Sequence, residues 1–158
     1  MITSFGKLIE LRKGKNMDKN VKTLKLLSKL FAVMAVIDAL IVLLLLYVKN
    51  DATLMNGMTN ATGSLDANSA LIASLITVVL SFVIDLFLAL KGLKQAKGEA
   101  VGTAHITLAT IFFVLSVIGL LAAIFGLFKG GDVATVLYEV INVVLYHFYR
   151  VSAKRVSH

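Results

Sequence analysis

Polar and apolar positions alternate along this chain on the scale of whole helices: long apolar runs are broken by short basic or polar segments. A helix rises about 1.5 Å per residue, so roughly 20 apolar residues cross a hydrocarbon layer of about 30 Å. Four stretches have that character, at about residues 26–48, 70–90, 106–128 and 133–149. The first contains IVLLLLYV and the third ATIFFVLSVIGLLAAIFGLF. The fourth is the shortest and most polar, and needs the other three as neighbours. The pattern predicts an all-α membrane four-helix bundle, up-down and antiparallel.

Each helix also has a face. In the fourth, Thr135, Glu139, Asn142, Tyr146 and Arg150 recur at helical spacing and form one polar stripe. In the second, Ser74, Thr77, Ser81 and Asp85 do the same. The third carries small residues at Ala109, Ser116, Gly119, Ala123 and Gly126, close to a heptad spacing. Small residues let helix backbones approach, which favours near-antiparallel packing.

Composition supports a membrane setting. Of 158 residues 58% are hydrophobic and 16% charged, with a mean hydropathy of +0.89. Soluble domains carry about 45–50% apolar and about 25% charged residues. No cysteine is present, which removes disulfides, thiolate metal sites and thiol redox chemistry, including that of four-helix quinone-linked disulfide oxidases. Proline is absent too, so no helix need be broken by it.

Charge position sets orientation more than the net +7 does. Of the 16 Lys and Arg residues, only Lys49 and Lys129 fall on one side of the expected spans. The others lie before the first span, in the link after the second, and in the tail, so both termini are expected in the cytoplasm of a multi-pass protein of the cell membrane. The expected parts are a basic N-terminal segment (1–25), the transmembrane domain (26–150) and a basic tail (151–158).

One outer connection, Asn50 to Ser69, is a polar loop whose Asn60-Ala61-Thr62 sequon is read as chance. The other, Lys129-Gly130-Gly131-Asp132, predicts a tight turn with Asp132 as N-cap, making the third and fourth helices a hairpin. The N-terminal string FGKLIELRKGKN resembles the opening helix of helix-turn-helix repressors. No turn or recognition helix follows it, so no nucleic-acid partner is expected. Two origins fit the segment: a basic lead that rests on anionic lipid headgroups, or an untranslated stretch upstream of a natural start at Met17. The long first apolar run, with no small-residue cleavage site, argues against a cleavable signal peptide.

Three acids fall inside the spans: Asp38, Asp85 and Glu139. Each costs about 2.5–3.5 kcal/mol at the membrane midplane, so they are expected to face inward. Counted from the cytoplasmic ends, Asp38 and Glu139 are expected to share a layer, with Asp85 nearer the inner surface. The candidate polar site is therefore Asp38, Asp85, Glu139 and Asn142, able to carry a proton or cation or to fix packing through hydrogen bonds. His105 and His147 open the third helix and close the fourth at one depth, which makes them haem or metal candidates. Surface placement is the commoner role for such a pair, and no cofactor is expected. No HExxH, GxSxG or phosphate-binding glycine loop is present, so no enzyme is expected.

The basic link LKGLKQAKGEAVG, the apolar IGLLAAIFGL and the polar fourth helix with its basic tail resemble small four-helix bacterial membrane proteins of unknown function. That resemblance spans about Leu86 to Arg155 and implies no activity. The chain also looks like the small multidrug-resistance exporters in helix number and in an acid within the first helix. It departs from them in lacking tryptophan and proline. The expected function is a non-enzymatic accessory or interaction subunit, partnered by the bilayer and by a second copy or another membrane protein. A small proton- or cation-coupled transporter or channel using Asp38 and Glu139 is the alternative.

Overall fold

The computed structural model describes residues 2–51 and 67–157, with side chains from residue 17 in the first stretch and residue 68 in the second. The chain is all-α: α1 (Ile2–Lys49), α2 (Ala67–Ala96), α3 (Ala104–Leu127) and α4 (Val133–Val156), with no strand among the described residues. The sequon Asn60-Ala61-Thr62 and most of the polar loop around it lie outside the described residues.

Three helices run past their expected ends. α1 is 48 residues long and begins in the basic segment, because Lys, Leu, Arg and Glu are good helix formers and no proline interrupts them. α2 continues through Lys91-Gly92-Leu93-Lys94-Gln95-Ala96, so half of the expected link is helix. It stops at Gly98, whose φ of 85° suits glycine. There Glu99 N–H donates to Lys94 O (3.1 Å) and Gly98 N–H to Gln95 O (3.0 Å), the two bonds of a Schellman motif. α4 continues past Tyr149 to Val156, with Lys154 and Arg155 in its last turn, where cations favour the helix dipole.

The predicted turn between α3 and α4 is present. Gly130 (φ 85°) closes a second Schellman motif, with Gly131 N–H donating to Gly126 O (2.9 Å) and Gly130 N–H to Leu127 O (3.1 Å). Asp132 caps α4, its Oδ1 accepting from Ala134 N–H at 3.0 Å. The two helices pack as an antiparallel hairpin: Phe112 stacks on Tyr146 (ring centroids 5.6 Å apart), and the rings of Phe113 and His147 meet at a tilt of 49° (5.5 Å).

α1, α2 and α3 are long and apolar enough to cross a membrane; α4 is not. Glu139, Asn142, His147 and Arg150 dilute its apolar content, so of the four expected spans only the first three qualify by length and composition alone. Burial follows heptad-like spacing: Leu24, Ser28, Phe31 and Ala35 on α1, and Asp85, Leu88, Gly92 and Gln95 on α2. The opposite faces expose Val33, Leu40, Ile76, Leu80, Ile118 and Phe125, the last 69% accessible. In water such apolar faces would drive association; in hydrocarbon they are at rest.

The chain divides into two compact units, one of Met1–Lys29 with Leu88–His158 and one of Leu30–Phe87.

Candidate functional site

A buried polar cluster lies in the first unit, where α2 ends, α3 begins and α4 finishes. Gln95, 5% exposed, is at its centre. Its Nε2 donates to Ala153 O (2.9 Å) and to Ser157 Oγ (2.6 Å), and Ser157 Oγ donates onward to Ala153 O (2.9 Å). With both amide hydrogens so placed, Oε1 is left to accept, and His105 Nε2 stands 2.8 Å from it. His105 Nδ1 is 2.9 Å from Gly102 O, which can only accept. Both contacts are complete when the ring donates through both nitrogens.

The sequence makes this arrangement locally. Gln95 lies in the last turn of α2, a helical turn before the Schellman glycine Gly98. His105 lies in the first turn of α3, its ring turned back to the link it follows. Tyr149 completes the cluster from α4: it is fully buried, its hydroxyl donates to Leu88 O at 2.7 Å, and its ring meets His105 edge-on at 6.1 Å. Gly92 is required here. A Cβ at that position would collide with Ser28 Oγ of α1 and lie 2.8 Å from the Tyr149 hydroxyl. Beside the cluster a cavity of about 350 Å³ is lined by Gln95, Glu99, Val101, Val156 and Ser157, among others.

The expected site residues fall in both units, Glu139 and Asn142 in the first and Asp38 and Asp85 in the second. Glu139 faces Gly119 of α3, where a Cβ would come within 3.0 Å of its carboxyl carbon. Asn142, one turn on, is half-buried in the same hairpin. Asp38 and Asp85 lie together in the second unit, with the Asp38 carboxylate acting electrostatically on Asp85. Asp85 is 3% exposed, and Asp38 Oδ2 is buried with no hydrogen-bond partner among the described residues.

The histidines differ in kind. Both His105 nitrogens face acceptors of the chain itself, at 2.9 and 2.8 Å, so a metal ion at either would have to displace that contact. His147 is half-buried between Phe113 and Phe148. Among the described residues no three His, Asp or Glu side chains converge as a metal site would require. Arg150 stacks its guanidinium carbon 4.0 Å from the centre of the Phe113 ring.

Sequence reasoning missed Gln95, Tyr149 and Ser28. Gln95 is hidden in a basic link that reads as solvated, although it is the one neutral polar side chain in LKGLKQAKGE. Tyr149 sits in an aromatic run that reads as interfacial. No family model, curated protein or solved structure matches the chain.

Proposed function

We propose that this chain is a non-enzymatic multi-pass membrane protein that serves as an accessory or interaction subunit. It crosses the bilayer four times, with α4 carried across by its neighbours and both termini in the cytoplasm. One observation carries this: the best-built polar cluster, Gln95–His105–Tyr149, spends its hydrogen bonds on backbone and side chains of the chain's own helices. A polar network so committed fixes packing rather than holding a substrate. The exposed apolar faces and the asymmetric Lys and Arg distribution support the membrane placement.

The absence of cysteine makes the topology directly testable. Single replacements Thr62→Cys and Ala100→Cys are labelled in intact cells with a membrane-impermeant maleimide. Labelling at position 62 alone supports the proposed topology; labelling at 100 overturns it. For the accessory role, Asp38→Asn with Glu139→Gln should leave folding and every cellular phenotype unchanged.

A second reading has its own observation. The unpartnered Asp38 Oδ2 beside Asp85 is a place where a proton or cation would be stabilised, as in a small coupled transporter or channel. It predicts that a lipophilic cation raises the thermal midpoint of the detergent-purified protein, that protons compete, and that Asp38→Asn abolishes the response. A flat response from about pH 5 to 8 excludes it.

A further inference from the structure

We propose that Arg150, seated on Phe113, binds the phosphodiester of an anionic lipid headgroup at the α3–α4 hairpin. The guanidinium is half-buried and fixed by its stack on the Phe113 ring at 4.0 Å. Its Nε is buried with no hydrogen-bond partner, and among the described residues no carboxylate pairs with it. A partly desolvated cation with an unused donor fork is costly unless an anion meets it.

The chain's own acids are poorly placed to be that anion. Glu139 lies eleven residues back along α4, roughly 16 Å away, and its carboxyl is over Gly119. Glu99 is exposed on the α2–α3 link. Lys154, one turn beyond Arg150 on the same face, is exposed and adds a second cation. A planar guanidinium matches two phosphate oxygens, and the aromatic seat holds it ready for them. His147, whose ring centre is 5.5 Å from that of Phe113, adds a further polar edge near the guanidinium.

A lipid, rather than a free phosphate, is the fitting source. Arg150 and Phe113 belong to the α3–α4 hairpin, whose other faces carry exposed apolar side chains that would meet acyl chains, Phe148 (51% exposed) and Leu115 (52%) among them. Such a site differs from diffuse attraction to a basic segment in that one arginine, and its ring, decide it.

The inference rests on the membrane placement proposed above, which the maleimide labelling tests separately. The purified full-length chain in detergent is titrated with phosphatidylglycerol, phosphatidylcholine or inorganic phosphate, with retained lipid read by native mass spectrometry and the thermal midpoint alongside. Phosphatidylglycerol should be retained over phosphatidylcholine and should raise the midpoint. Arg150→Gln should cut that preference about tenfold, the scale of one lost charge-assisted contact. Phe113→Leu, which keeps the charge and loses the seat, should weaken it in part, and Lys97→Gln should leave it unchanged. Should Arg150→Gln fail to fold, Arg150→Lys and Phe113→Leu carry the test. Equal retention of the two lipids, an Arg150 variant with undiminished preference, or an equal midpoint rise with inorganic phosphate overturns the proposal. Correct labelling in cells with no lipid preference counts against this site alone.

Discussion

Gln95 accepts at Oε1 from His105 Nε2, 2.8 Å away, and so joins the last turn of α2 to the first turn of α3. The same amide donates to Ala153 O at 2.9 Å, so one side chain ties three helices. Removing either partner strands the other in a buried site, at about 1–3 kcal/mol. Gln95→Ala and His105→Ala should therefore each lower the thermal midpoint, and the double variant should lose less than the two losses added. Strict additivity in a double-mutant cycle would show that the two residues act independently.

At Gly92 any side chain meets Ser28 and the Tyr149 hydroxyl. Gly92→Ala should destabilise by about 1–3 kcal/mol, the usual cost of overpacking. Ser28→Ala in the same chain should recover part of that loss. Denaturant or thermal unfolding in detergent checks both, and a neutral Gly92→Ala would contradict the close approach of α1 and α2 at this point in the first unit.

Tyr149 donates to Leu88 O at 2.7 Å from a fully buried position. Tyr149→Phe keeps the ring and should cost about 0.5–1.5 kcal/mol, whereas Tyr149→Ala should cost about 3–5 kcal/mol, as a cavity is added. Equal losses would mean that the hydroxyl alone matters.

Gly130 ends α3 at φ 85°, a conformation that strains residues bearing a Cβ. Gly130→Ala should cost about 1–2 kcal/mol although nothing lies within 4 Å of the added methyl. At Gly119, by contrast, the added Cβ meets only the flexible end of Glu139, at 3.0 Å. Gly119→Ala should be tolerated within about 0.5 kcal/mol and Gly119→Leu should not. Thermal midpoints of the three variants would rank the two causes, backbone strain and crowding.

Much of this architecture is legible in the chain itself. Runs such as IVLLLLYV predict long apolar helices because only continuous apolar sequence satisfies hydrocarbon over that length, and the absence of proline leaves the helices uninterrupted. The α3–α4 hairpin was equally readable, since two glycines followed by an aspartate are turn and cap chemistry acting over a few residues. Helix ends were less readable: lysines that suggest a solvated link at 91–97 are also good helix formers, and α2 continues through most of them.

Hydropathy and local capping, which depend on a residue and its near neighbours, were determined by the sequence alone. Which polar side chains meet was decided only by the tertiary structure. Asp38 and Asp85 stand 47 positions apart, yet the Asp38 carboxylate acts electrostatically on Asp85. Gln95 reaches Ala153 across 58 positions, a pairing no local pattern encodes. Such contacts follow from the rotation of each helix about its axis and from one close approach, at Gly92, that only a residue without a side chain allows.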